Sequence, residues 1–244
     1  MSDIEPYESV REDWQRALAV VAHPDDLEFG SAAAVARWTA QGKEIVYCLV
    51  TSGEAGIDGM APDETRVVRE AEQRASAGVV GVSAVEFLGL PDGIIEYGVP
   101  LRRELTRVVR RHRPDIVITN NFRETWDGAE ALNQADHMAT GRATLDAVRD
   151  AGNRWIFPEL GLEPWGGVRQ VWAAGSPAGR HAVDISGTFD RGIESLQAHE
   201  AYLRGLGEGA FDPEEFLEGV GRAAGTRLGT RYAASFEVFT INLF

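Results

Sequence analysis

His23, Asp25, Asp26 and Glu28 fall inside six consecutive residues, in the stretch Ala22-His23-Pro24-Asp25-Asp26-Leu27-Glu28-Phe29-Gly30. A hydrophobic core has no use for one imidazole and three carboxylates packed so closely. The spacing lets a loop that closes onto a helix N-terminus aim His23 and Asp26 at one ion, while Asp25 between them points elsewhere and stays free. That is the chemistry of a metal site with a built-in base. Pro24 fixes its own φ and biases His23 away from the helical region, so the turn is pre-set. The same residues also fit a plainer reading, with Asp25 or Asp26 as the N-cap of the following helix and His23 as a polar strand end. Spacing alone leaves both open.

The elements around this stretch are those of an α/β sheet. Residues 16–22 form a short continuous apolar run, as expected of a strand buried on both faces. A helix is predicted from Phe29 to Gln41, closed by Gly42, and a second strand over 44–51 ends in the Gly-rich loop Thr51-Ser52-Gly53-Glu54-Ala55-Gly56. Asp63 is placed to cap a second helix, a third strand covers 84–88 before the turn Pro91-Asp92-Gly93, and a third helix follows Pro100 until Pro114. A fourth strand over 115–119 leads into a long polar loop, residues 120–134, and a helix over about 136–150. Strands alternating with helices predict a Rossmann-like, doubly wound and mostly parallel sheet with helices on both faces. Further on, 168–172 and 181–185 read as strands and 187–206 as one helix. Phe211-Asp212-Pro213-Glu214-Glu215 opens another helix with Asp as cap and Pro in its first turn. A last strand is expected over 235–243, its place in the sheet open. With no linker and no repeat, one domain over 1–244 is expected: a core of about 16–206 and a C-terminal extension over 207–244.

A net charge of −14 argues against nucleic acid and anionic membranes as partners. Hydrophobic content of 44% and charged content of 25% are those of a soluble globular protein. No apolar stretch reaches the roughly 18–20 residues of a spanning helix, and the acidic N-terminus shows no secretory signal, so a cytoplasmic protein is expected. The single cysteine, Cys48, sits in an apolar run and reads as a buried structural thiol. Association with further copies of the chain is left open.

In open α/β sheets, ligands bind beyond the carboxyl ends of the strands, where strand order reverses. If the predicted strands are ordered 3-2-1-4, that crevice lies between the loops after the first and fourth, and His137 meets His23 there. His23, Asp26 and His137 make a His/Asp/His set that suits Zn2+ with positions open for water. His112, beside Arg111 and Arg113 at a helix end, reads as a solvated histidine. His181 opens a strand, and His199 shares a face with Leu196 and Leu203 and so points inward. Arg69 and Glu72, one turn apart, read as a surface pair worth roughly 0.2–0.5 kcal/mol.

The opening stretch resembles the signature AHPDDxExG of the LmbE-like, or PIG-L, zinc de-N-acetylases. The similarity continues through 51–56, Arg69 with Glu72, 88–93, 114–117, and Asp136-His137 with Gly141-Arg142-Ala143. The resemblance implies a Rossmann-like fold and a metal-dependent amidohydrolase that removes an N-acyl group, most often acetyl, from a small-molecule amino sugar or its conjugate. It implies His23, Asp26 and His137 as zinc ligands, Asp25 as general base, and Arg69, Glu54 and the Asn120-Asn121 loop at the substrate mouth. Asp136 is implied as a hydrogen-bond acceptor behind the ligands.

One departure stands out. Where much of the family reads His-Pro-Asp-His, this chain reads Gln134-Ala135-Asp136-His137, and glutamine is no proton donor. His199 is the expected replacement. His181, Asp25 acting in both directions, or a substrate with a better leaving group are the alternatives. A non-catalytic sugar- or metal-binding module is the rival class, supported by Gln134 and opposed by the retained Asp25. A nucleotide-dependent enzyme would show G-x-G-x-x-G between the first strand and helix, where His23 to Gly30 stands instead.

Overall fold

The computed structural model describes residues 5–126, 131–207 and 212–241. Phe211 at the predicted helix start, Asn242 and Leu243 at the end of the predicted last strand, and residues 127–130 of the long loop lie outside them. The elements in chain order are β1 (Glu8–Ser9), β2 (Arg16–Val21), α1 (Ala32–Ala40), β3 (Glu44–Leu49), α2 (Pro62–Val79), β4 (Ala84–Phe87), α3 (Val99–His112) and β5 (Ile116–Asn120). They continue with α4 (Ala135–Gly152), β6 (Gln170–Ala174), β7 (His181–Asp184), α5 (Phe189–Gln197), α6 (Glu200–Gly205), α7 (Pro213–Leu228) and β8 (Ala233–Thr240).

The sheet order is β1-β7-β8-β6-β5-β2-β3-β4. Its β5-β2-β3-β4 half is parallel and has the order read from the sequence, with the reversal between β2 and β5. The last strand, β8, inserts antiparallel between β6 and β7. Because β2, β3 and β5 are covered on both faces, nearly every residue in them is buried, which accounts for their unbroken apolar runs. One face carries an aromatic cluster in which Trp14 meets Trp38 at 5.3 Å and Trp38 meets Trp172 at 5.6 Å between ring centroids. Trp172 is therefore core. The other face packs α3 and α4 through Leu101, Leu105, Val108 and Ala147. Cys48 is fully buried, and burial pushes its thiol up.

Several local expectations are corrected. The first helix begins at Ala32 rather than Phe29, because residues 23–31 form successive turns whose backbone bonds include Glu28 N–H to Asp25 O and Ser31 N–H to Leu27 O. Neither Asp25 nor Asp26 caps it. Asp63 lies in the first turn of α2 and not at its cap, since Pro62 already occupies the helix start behind Ala61. The predicted helix over 187–206 is two helices, broken at Ala198-His199, and the backbone N–H of Ala201 donates to Glu72 Oε1 at 2.5 Å. Glu72 thus caps α6, and the surface pair with Arg69 does not form. Gly42 closes α1 at φ 82°, and Asp212 Oδ1 accepts from the N–H groups of Glu214 and Glu215, both as expected.

Candidate metal centre

The carboxyl ends of β2 and β5 stand side by side, and the chain leaves each in a polar loop. After β2, Pro24 is followed by Asp25 at φ 84°, a left-handed conformation that a side chain without β-branching tolerates. This reversal turns Asp26 back on the start of the loop, where its Oδ2 accepts from the His23 backbone N–H at 2.9 Å. The other oxygen, Oδ1, lies 2.9 Å from His137 Nε2 and 3.8 Å from His23 Nδ1. His137 stands in the first turn of α4, and its Nε2 is 3.2 Å from His23 Nδ1. All three side chains are nearly buried.

The hydrogen bonds assign both ring tautomers. Asn133 donates its amide N–H groups to Asn121 O at 2.8 Å and Arg123 O at 2.9 Å, which leaves its Oδ1 as acceptor from Gln134 N–H and from His137 Nδ1, each at 2.8 Å. His137 therefore carries its hydrogen on Nδ1 and turns the Nε2 lone pair inward. His23 Nε2 lies 3.0 Å from Asp92 Oδ1 and 3.3 Å from Asp136 Oδ2, so it donates to carboxylates and leaves Nδ1 facing the same point. Asp136 is itself held by the backbone N–H groups of Gly93 and Ile95, and Asp92 by that of Ala55. Acceptors behind ring nitrogens orient the imidazoles and raise their basicity.

Two nitrogen lone pairs and a carboxylate oxygen converging on one point repel each other unless a cation sits between them. Burial disfavours the imidazolium, yet Asp136, Asp26 and Asp92 outweigh it and hold His23 up to about 12. Burial alone would raise Asp26, but His137 and His23 keep it well below the usual carboxylate range. The separations of 2.9, 3.2 and 3.8 Å bracket the roughly 3.4 Å between ligands of a tetrahedral ion bound at about 2.1 Å. The donor set fits a metal ion.

Asp25 is not one of the three residues that converge there. Its backbone N–H donates to Gln73 Oε1 at 2.9 Å and its Oδ2 accepts from Arg69 at 2.8 Å. Burial pushes Asp25 up to about 8, against the pull of Arg69. Arg69, 3% exposed, also donates to Pro24 O and Gly53 O. At Gly53, φ 64°, any side chain would collide with that guanidinium, so the Gly-rich loop after β3 makes room for it.

A cavity of about 470 Å³ opens beside the cluster, and Asp25, Asp26, His137, Gln134, Asn120 and Trp126 line one end of it. Arg69, Glu54 and Asn121 are not on its wall. Glu54 accepts from the Asp92 backbone N–H, and Asn121 is spent within its own loop, on Thr125 O and Arg123 N–H. His199 is fully buried 3.7 Å from Glu28 Oε2, outside the cavity wall, and burial, with Arg69, lowers its pKa to about 3. His181 begins β7 at the opposite end of the sheet, near Glu8. His112 is not merely solvated, since its Nε2 lies 3.2 Å from Glu86.

Asn133, Asp92 and Tyr202, which the sequence reading did not single out, complete the site with Asn120. Asn133 and Asp92 orient the histidines, and Tyr202 lies under the Arg69 guanidinium at 4.2 Å and lines the cavity. Asn120 is 5% exposed, and neither atom of its side-chain amide has a protein partner. The signal for Asp92 and Asn133 was their position in loops at strand carboxyl ends. Tyr202 had none.

Comparison with known proteins accords with this geometry. The family model described as PIG-L, GlcNAc-PI de-N-acetylase, matches residues 18–148. Diacetylchitobiose deacetylase of Thermococcus kodakarensis is 28% identical over 236 residues, 94% of this chain and 83% of that protein. A 1D-myo-inositol 2-acetamido-2-deoxy-alpha-D-glucopyranoside deacetylase of Saccharopolyspora erythraea is 26% identical over 64% of each chain. Among solved structures, N,N'-diacetylchitobiose deacetylase from Pyrococcus horikoshii superposes with a TM-score of 0.84 at 22% identity, over 94% of this chain and 85% of that one, a likeness of fold. No helix among the described residues is long and apolar enough to cross a membrane.

Proposed function

This chain belongs to the PIG-L family of de-N-acetylases, and from that premise we propose that it is a zinc-dependent hydrolase removing an N-acetyl group from an amino sugar or amino-sugar conjugate. The observation that carries the reading is the convergence of the His23, Asp26 and His137 ligand atoms beside a cavity that Asp25 also lines. These three residues would hold the ion. When bound, zinc supplies Lewis acidity, which polarises an amide carbonyl and brings the pKa of water near 7.

The chain's own groups do the rest. Asp25 takes the proton of the attacking water, with Arg69 holding its carboxylate in place. The amine must leave with a proton. Asp25 borders the cavity and His199 does not, which supports Asp25 carrying the proton in both directions. Asp92 and Asp136 keep the His23 ring turned toward the metal point. Asn120, in place of Asn121, is the amide that meets substrate.

Gln134 favours a second reading, a binding module that holds metal and sugar without turnover. The two separate in one experiment. Purified protein is loaded with one equivalent of zinc and incubated with N-acetylglucosamine and N,N'-diacetylchitobiose, and acetate and free amine are measured. Stoichiometric release of both supports hydrolysis. Tight metal binding with no acetate from either sugar would leave the binding module standing.

A further inference from the structure

The cavity is larger and less polar than removal of an acetyl group requires. Away from the metal cluster it runs between α1, α5, α7 and β8. The residues that those four elements contribute to its wall carry a single polar side chain, Ser235. The rest is built of small and aromatic residues, among them Ala33, Phe189, Leu217, Val220 and Ala234. The two carbons of an acetyl group fill little of about 470 Å³, a volume in the range of pockets that enclose drug-sized ligands. A second sugar ring is a poor occupant, because its hydroxyls would lose water and find one partner. At the polar end, the unpartnered and nearly buried Asn120 amide faces the same space and asks for a ligand with both a donor and an acceptor. At the far end, Val220 on α7 is 45% exposed, so the passage reaches the surface.

We propose that this cavity is a binding site for an unbranched alkyl chain carried by the substrate, with the chain's polar junction held at Asn120 and its methylenes between α1, α5, α7 and β8. That the chain belongs to a substrate rests on the de-N-acylase reading, but the site itself does not. The chain has two chemical sources: it is the acyl group, or it is an alkyl aglycone on the amino sugar.

Binding is tested first, without catalysis. Octyl β-D-glucoside, below its micelle concentration, and methyl β-D-glucoside are titrated calorimetrically into the full-length protein. Each buried methylene strengthens binding about four-fold, so three or four of them make the octyl compound bind on the order of 100-fold tighter. Val220→Trp, at a half-exposed position, fills the passage from α7, and Ala174→Leu narrows it from β6. Each is checked by its melting temperature, and either should bring the two glucosides within about three-fold of each other. Equal binding of the two glucosides to the unsubstituted protein overturns the proposal, as does a preference that both folded variants retain. Hydrolysis then assigns the source. A kcat/KM that climbs with length from N-acetyl- to N-octanoylglucosamine puts the chain on the acyl side, and a climb from methyl to octyl N-acetylglucosaminide puts it on the aglycone. A flat response in both series overturns the proposal. Tight octyl glucoside binding with no hydrolysis of any member overturns the de-N-acylase reading instead and supports the alkyl site.

Discussion

Asn133→Ala tests the metal centre without touching any of its three converging residues. In the native protein this side chain makes four hydrogen bonds of 2.8–2.9 Å: two donated to Asn121 O and Arg123 O, two accepted from Gln134 N–H and His137 Nδ1. Removing it frees the His137 ring to rotate and to move its hydrogen to Nε2, the nitrogen that must stay bare to bind metal. Loss of such an orienting partner lowers metal affinity about 10- to 100-fold. The four lost bonds, at about 0.5–1.5 kcal/mol each, should also destabilise the protein by about 2–6 kcal/mol. Zinc affinity is read by competition with a chromophoric chelator, and stability by urea unfolding of the metal-free protein. Asn133→Asp separates the two effects. It keeps the acceptor for His137 and loses the donors to the loop, so it should hold zinc well yet unfold more readily. Zinc affinity within two-fold of native in folded Asn133→Ala would refute the reasoning, because His137 would then need no fixed tautomer.

Asp25→Asn should retain stoichiometric zinc, since Asp25 is not one of the converging residues, and lose about 10²–10⁴-fold in kcat. Asparagine tolerates the φ of 84°, so circular dichroism and metal content should match the native protein; an unchanged kcat would remove Asp25 from the proton path. Gly141→Ala should destabilise the chain by about 1 kcal/mol in urea, because overlap of the new methyl with Phe122 outweighs the roughly 1 kcal/mol of helix propensity gained; a stabilised variant would contradict that. Glu86 is held below its ordinary value by the hydrogen bond from His112 and by Arg107, with burial opposing. A depressed carboxylate contributes stability above its unfolded value and loses it as pH falls through the folded one. Glu86→Gln should therefore lower Tm at neutral pH, by the equivalent of about 0.5–1 kcal/mol, and the gap from native should close below about pH 4. A gap that widens with acid would show the sign to be wrong.

The parts of this protein legible in its sequence are those governed by neighbours in the chain. Alternating apolar runs and helix starts dictate a parallel α/β sheet, since strands buried on both faces are largely apolar. The order β4-β3-β2-β5 follows the usual reversal, and with it the meeting of His23 and Asp26 with His137. Asp212 caps α7 by a bond two residues long. What only the tertiary structure decided is who stands behind each of those groups. Arg69 looked like half of a surface pair because helical spacing reports only its own helix; packing α2 against the 23–31 turns buried it on Asp25, 44 residues away. His199 faced inward as its spacing implied, but at the break between α5 and α6 it stands against Glu28 and off the cavity wall. Asn121 and Asn120 are adjacent and chemically identical, yet the loop consumes one amide and leaves the other facing the cavity. The insertion of β8 beside β6 completes the apolar wall, and nothing local encodes it. Hydrogen bonds between near neighbours are set by backbone geometry that residue types declare, whereas burial and pairing across the fold depend on the summed packing of elements distant in sequence.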